Sequence, residues 1–266
     1  MSQFIDKLKR VSQVVPQPMG FRTAQSASEK PGILLIASLA QTDIDSLADR
    51  VAGADAGLLR VAKLSSGAKD LEKALQAVPG IPWGVWLEGV TEEQVEPVTK
   101  AGFDFVVFPP ASTSLAILDD NKTGKVLQVE MSISVSLLPA FNELPVDAVM
   151  VVGEYEEKRF LTWQHLMFFQ RCADLLTKPL LVSVPSNIST NELKVLWEAG
   201  VSGVVVGIES EQPPGRLEEL RRVVDKLDFT APRKTRKAEP LLPYTSGKTY
   251  IVDVDEGEEE DGDEDE

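Results

Sequence analysis

The sequence AGVSGVVVG at residues 199–207 decides the fold of this chain. Gly200 follows a helical segment and is typical of a helix C-cap, because glycine readily adopts the left-handed backbone that ends a helix. The apolar run that starts at Gly203 has the length of a buried strand. The stretch therefore predicts a helix, a tight turn and a strand in direct succession.

Three partial copies of this stretch lie upstream, at intervals of about fifty residues. The four copies are AGADAGLLRV from Ala52, AGFDFVVFPP from Ala101, LPVDAVMVVG from Leu144 and AGVSGVVVGI from Ala199. Four further apolar runs alternate with them, namely ILLIAS, PWGVWLE, KVLQVEM and LLVSV. Short strands alternating with helices predict an α/β fold, a single (β/α)8 barrel. An open, doubly wound sheet is the alternative, and the even spacing favours closure.

The predicted barrel occupies residues 32–229. Residues 1–31 are predicted to form an N-terminal helix at 2–15 and a lead-in loop, and the apolar face of the helix is expected to pack on the bottom of the domain. Residues 230–266 combine a proline-rich basic segment with an acidic run. A like-charged run cannot bury apolar surface, so we expect this tail to be disordered.

The charge of the chain is unevenly distributed. The net charge is −15, but residues 253–266 hold 11 acidic and no basic residues, which leaves −4 for the rest. No broad positive field therefore favours nucleic acid or an anionic membrane as a partner. We see neither a signal-peptide pattern nor an apolar run of membrane-spanning length, so a cytoplasmic protein is expected.

The segment from Leu180 to Ile208 resembles the last two strands of the phosphate-binding, aldolase-type barrels. These are the ribulose-phosphate-binding-like TIM barrels, such as the tryptophan synthase α-subunit, and WEAGVSGVVVGIES at 197–210 carries the likeness. The resemblance implies that the loops after strands 7 and 8 hold an anion through backbone N–H groups. Ser186 and Gly207 are the binding positions that it implies. Glu209 and Glu211 stand where that family has small residues.

Active sites of such barrels lie at the carboxyl ends of the strands, and alternation along each strand separates inward from outward residues. The polar candidates at these ends are Arg60 and Lys63 from strand 2, Glu88 from strand 3, Glu130 from strand 5, Glu154 from strand 6 and Ser183 from strand 7. Arg60 is predicted to point into the barrel. An inward charge is costly unless it is paired, so we expect an ion pair with Glu130 or Glu88.

Two functions from different classes follow. In the first, the protein is a lyase or isomerase that acts on a small anionic metabolite, with Glu88, Glu130 and Glu154 as acid–base groups. Glu88 and Glu130, together with Glu154, are also candidate ligands for Mg²⁺ or Mn²⁺, while Arg60 orients a substrate carboxylate or phosphate. In the second, a non-catalytic barrel binds or assembles through a helix face and its charged tail. The same charged residues then form only structural ion pairs.

The predicted helix at 160–176 contains the only cysteine, the only histidine and a wide apolar surface. Cys172 is the only cysteine and sits in an apolar helix, so a buried, inert thiol is expected. His165, the only histidine, is expected to be a helix-surface or interface residue rather than a base. The apolar coverage around Trp163, Met167 and Phe168 is wider than one packing stripe needs, which suggests a homodimer face.

Overall fold

The strands of this protein form a closed barrel. The computed structural model describes residues 2–12, 32–40, 47–61, 74–153, 160–208 and 215–227. Within them eight parallel strands pair in sequential order, and the eighth returns to the first. The strands are β1 Leu34–Ala40, β2 Ala56–Val61, β3 Trp83–Leu87, β4 Phe105–Phe108, β5 Gly124–Glu130, β6 Ala148–Val152, β7 Leu180–Val184 and β8 Gly203–Ile208. The predicted (β/α)8 barrel is confirmed.

Helices follow the strands on the outside of the barrel. They are α1 Gln3–Ser12, α2 Leu47–Val51, α3 Glu92–Lys100, α4 Trp163–Leu175, α5 Thr190–Glu198 and α6 Arg216–Lys226, with a helical turn at 74–77. The helical segments after β4 and β5 are 3₁₀ helices, Pro110–Ser112, Leu115–Asp119 and Val135–Asn142. Pro139 inside the last of these lacks the N–H that a regular α-helix would use. In the described part of the chain, no helix is long and apolar enough to cross a bilayer.

The glycine of the repeated motif ends a helix, as the sequence predicts. Gly53, Gly102 and Gly200 have φ angles of 87°, 82° and 99°, the left-handed region in which other residues are strained. At Gly53 an added Cβ would also lie 2.9 Å from the backbone of Leu217 in α6. The motif therefore fixes both the turn before an even-numbered strand and, at Gly53, the contact with a neighbouring helix.

Alternation along the strands divides the buried side chains into two layers. The inner layer fills the barrel and includes Leu58, Trp86, Val107, Met150 and Val205. The outer layer lies between strands and helices. Burying both faces of every strand explains why the strands read as continuous apolar runs.

The N-terminal helix α1 closes the bottom of the barrel, as expected. Phe4 and Leu8 have no exposed surface, and both belong to the inner layer. The ring of Phe4 stacks on that of Phe105 in β4, with the centroids 4.2 Å apart. The predicted loop at 16–31 and the predicted tail at 230–266 lie outside the described residues.

Aspartates of the repeated motif hold α1 in place. Asp104 accepts hydrogen bonds of 2.8 Å from the Ser2 hydroxyl and from the backbone N–H groups of Gln3 and Phe4. It thereby satisfies free N–H groups at the helix start and places a negative charge at the positive end of its dipole. Asp55 and Asp147 occupy the same motif position before β2 and β6, and they bind the ammonium groups of Lys7 and Lys9.

Candidate functional site

The last inward-facing positions of the strands form a polar layer at the barrel mouth. Parity assigns to this layer Ser38, Arg60, Trp86, Gln128, Ser183 and Gly207. Ser38 and Gly207 are direct neighbours in the β1–β8 register, as are Arg60 and Trp86 in the β2–β3 register. Below this layer the barrel is filled by apolar side chains. The chemistry of the interior is therefore confined to its carboxyl-terminal end.

Arg60 stacks on the indole of Trp86. Its guanidinium carbon lies 4.8 Å from the ring centroid, within the range of a cation–π interaction. Trp86 itself is only 8% exposed, whereas Arg60 is exposed. Stacking uses the face of the guanidinium and leaves the N–H groups at its edge for an anion.

The predicted ion pair between Arg60 and Glu88 or Glu130 does not form. Neither Glu88 nor Glu130 contacts the guanidinium, and Arg60 makes no hydrogen bond to another residue in the described ranges. The reason is its position near the end of β2, where water solvates the charge. Pairing is required only when a charge is removed from water.

Gln128 fixes the indole that lies beneath Arg60. The Trp86 indole N–H donates to Oε1 of Gln128 at 2.7 Å, across the barrel from β3 to β5. Because Gln128 is half-buried and Trp86 almost fully buried, this bond lies inside the barrel rather than in solvent. It restricts rotation of the indole and so defines where the guanidinium can stack.

The two described glutamates lie separately at the rim. Glu88 follows β3 and is exposed, and its backbone carbonyl accepts a hydrogen bond of 2.7 Å from the Ser112 hydroxyl. Glu130 ends β5, is also exposed, and accepts from the Ser132 hydroxyl at 3.2 Å. The third predicted carboxylate, Glu154, and the predicted binding residue Lys63 lie outside the described residues.

No metal cluster is present in the part of the chain that the structure describes. No three His, Cys, Asp or Glu side chains there come close enough together to hold an ion. The site predicted for Mg²⁺ or Mn²⁺ includes Glu154, which lies outside the described residues.

The positions implied by the resemblance lie on the β7 and β8 side of the mouth. Ser183 and Ser186 are half-buried, and the Ser186 carbonyl accepts a hydrogen bond of 3.2 Å from Nε of Arg216 at the start of α6. Gly207 is exposed, and an added Cβ would meet no atom of the described residues within 4 Å. The described part of this side of the mouth therefore leaves open space beside Gly207.

The histidine and the cysteine of α4 have structural surroundings. His165 is 9% exposed, and its Nδ1 accepts from the backbone N–H of Thr162 at 3.1 Å in a capping box. His165 is therefore not an exposed residue of the helix surface, because the capping contact holds its ring against the start of the helix. Burial raises the pKa of Cys172 to about 12, which confirms the inert thiol.

Sequence reasoning missed Trp86 and Gln128 as site residues. Strand alternation could have found both, since Trp86 shares a face of its strand with Glu88 and Gln128 shares one with Glu130. A buried indole N–H needs an acceptor, and an inward glutamine can supply it. What the sequence lacks is the cross-barrel distance that brings the two side chains together.

Comparison with known structures defines the class of fold. The chain is similar to the thiamine phosphate pyrophosphorylase of Pyrococcus furiosus, with a TM-score of 0.55 and 15% identity over 72% of this chain and 96% of that one. It is also similar to a mutant tryptophan synthase α-subunit of Pyrococcus furiosus, with a TM-score of 0.53 and 16% identity over 73% and 97% of the two chains. These likenesses confirm the TIM-barrel fold. No protein-family model and no curated protein matches the chain.

Proposed function

We propose that this chain is a cytoplasmic lyase or isomerase of the aldolase type, which binds a small anionic metabolite through Arg60. The observation that carries the proposal is an inward-facing arginine at the barrel mouth that has no carboxylate partner among the described residues and is stacked on Trp86. A guanidinium held in this way can bind a carboxylate or a phosphate with two parallel hydrogen bonds. The face of Trp86 orients it, and Gln128 orients Trp86.

The remaining contacts of the proposed ligand come from both sides of Arg60. Ser183, Ser186 and Gly207 are the proposed contacts from β7 and β8, and the open space beside Gly207 supports them. Lys63 is a proposed second cation. Glu88, Glu130 and Glu154 are the proposed acid–base groups, and the exposure of the first two supports access from solvent. A mouth of this composition would favour ligands with one or two negative charges.

Replacing Arg60 by alanine is expected to weaken ligand binding strongly. Charge-assisted hydrogen bonds contribute about 1.5–3 kcal/mol, so affinity should fall roughly 10- to 150-fold. Thermal unfolding of the full chain would be followed with inorganic phosphate, glycerol 3-phosphate and succinate. Each probe that binds should raise the melting temperature of the wild type and not that of Arg60→Ala.

Arg171→Ala is the matched control, because Arg171 is an exposed arginine on the outer helix α4. It should keep the full response to every probe. If no probe shifts the wild type at millimolar concentration, or if Arg60→Ala responds like Arg171→Ala, Arg60 is not an anion-binding residue and the proposal fails.

A divalent cation is the proposed cofactor, bound by Glu88 and Glu130 together with Glu154. We expect millimolar Mn²⁺ or Mg²⁺ to raise the melting temperature of the wild type, and Glu130→Gln to remove that shift because the amide cannot donate a negative charge to the ion. Glu130→Gln should still respond to the anionic probes, since Glu130 does not touch Arg60. A cation response that survives both Glu130→Gln and Glu88→Gln would exclude this metal site.

A second candidate function is a non-catalytic barrel that binds or assembles with a partner. Two apolar side chains of α4 favour it, because Trp163 is 80% exposed and Met167 is 69% exposed. The two functions separate in the probe experiment. The enzyme requires a ligand response that depends on Arg60, and the assembly module requires none.

A further inference from the structure

The outer surface of α4 and of the neighbouring 3₁₀ helix carries an unusual set of exposed apolar side chains. Eight large apolar residues are exposed in the described ranges, and five of them lie here. They are Val135, Leu137, Phe160, Trp163 and Met167, which we call the apolar face. The 3₁₀ helix Val135–Asn142 packs against α4, and Phe160 lies three residues before α4 along the chain.

Helical spacing shows that the exposed part of α4 is a surface of its own. Trp163 and Met167 are four residues apart and therefore share one side of the helix. His165, Phe169 and Cys172 are the buried residues of α4 and occupy the opposite side, against the barrel. Trp163 and Met167 therefore do not belong to the packing of this domain.

Charged residues are missing from the 3₁₀ helix and from the first two turns of α4, whose two charges, Arg171 and Asp174, lie toward its end. Residues 131–142 and 160–170 contain no Asp, Glu, Lys or Arg, whereas α6 alone, RLEELRRVVDK, contains seven. Depletion of charge together with Trp, Phe and Met is the composition of the core of protein–protein interfaces. A surface that stayed in water would not be expected to combine these features.

We propose that the apolar face is the interface of a homodimer with two-fold symmetry. In such an interface the same surface of both copies meets itself, so a charged residue near the axis would face its own like charge. An uncharged apolar face avoids that repulsion. Since each chain carries a net charge of −15, two copies repel one another elsewhere and can approach most closely on an uncharged surface.

The occupant is a second copy rather than a charged partner or a membrane surface. A partner chosen by charge would be matched by opposite charges on this face, and residues 131–142 and 160–170 contain none. An amphipathic membrane-surface helix carries Lys and Arg beside its apolar residues, and α4 has only Arg171. The dimer does not depend on ligand binding at Arg60, so either proposal can fail alone.

Replacing Trp163 by glutamate is expected to dissociate the dimer. Sedimentation velocity and light scattering of the full chain at about 1–100 μM should give twice the chain mass for the wild type and one chain mass for Trp163→Glu. A buried interface tryptophan contributes about 2 kcal/mol or more to binding, so the dissociation constant of the dimer should rise at least about 30-fold. Met167→Glu is the second variant and should act in the same direction.

Leu115→Glu is the matched control, because Leu115 is also 80% exposed but lies on a different 3₁₀ helix, outside the apolar face. It should leave the dimer intact, and circular dichroism should show unchanged folding for all three variants. A monomeric wild type at about 100 μM overturns the proposal. So does a dimer that survives both Trp163→Glu and Met167→Glu, or one that Leu115→Glu weakens equally.

Discussion

Replacing Phe4 by alanine is expected to lower the free energy of unfolding by about 3–5 kcal/mol. Phe4 is fully buried, and its ring stacks on Phe105 with the centroids 4.2 Å apart. Removing it opens a cavity at the bottom of the inner layer. The ring of Phe105 and the strands around it cannot collapse into that cavity, because they are fixed by the barrel.

Urea unfolding followed by circular dichroism measures this effect as a lower midpoint with an unchanged slope. Leu115→Ala is the control, because Leu115 is 80% exposed and its replacement should change stability by less than about 0.5 kcal/mol. If Phe4→Ala costs no more than the control, α1 does not contribute to the core, and the bottom of the barrel is closed in another way.

Asp55→Ala is expected to have an effect of similar size, about 3–5 kcal/mol, because it breaks a buried ion pair. The side chain of Asp55 is only 8% exposed and pairs with Lys7 of α1 and with Arg221 of α6. It also accepts a hydrogen bond of 2.9 Å from the backbone N–H of Leu35 in β1. Alanine leaves that N–H without its acceptor, and it removes the carboxylate from the guanidinium of Arg221, which keeps only the Gly53 carbonyl and the more distant Asp225.

Asp147→Ala is the matched control, since Asp147 holds the same motif position before β6. Its side chain is 34% exposed, and it pairs with Lys9 and accepts from the Lys125 N–H. We expect Asp147→Ala to lower the free energy of unfolding by about 1–2 kcal/mol, because water can replace part of the hydrogen bonding that the carboxylate provided. The loss of stability in Asp55→Asn should lie between these two values, since the amide oxygen can still accept the hydrogen bond from the Leu35 N–H. Equal losses for Asp55→Ala and Asp147→Ala would contradict the assigned role of burial.

The barrel could be predicted because its signals are local. Each strand is a short apolar run, and three of the four even-numbered strands follow a glycine that ends a helix, namely Gly53, Gly102 and Gly200. Alternation also separates inward from outward side chains without any knowledge of neighbours, and it correctly placed Arg60 on the inner side of β2. The aspartates of the motif were visible in the sequence as well. Their partners were not, because Asp104 binds residues of α1 that lie about a hundred positions away in the chain.

The candidate site was predicted only in part. The sequence named Arg60, Glu88 and Glu130 as mouth residues, and it predicted an ion pair between them because an inward charge was assumed to be buried. The exposure of Arg60 depends on how far up the strand it sits relative to the rim, which the register between strands decides. Its contact with Trp86, and the bond from Trp86 to Gln128, likewise depend on distances across the barrel.

The sequence by itself determined the architecture of this protein, because helix ends, strand lengths and alternation are properties of neighbouring residues. Only the tertiary structure decided the state of Arg60, the burial of His165 and the attachment of α1 by three aspartates. The physical reason is that solvation and pairing of a charge depend on residues that the closure of the barrel brings together from distant parts of the chain.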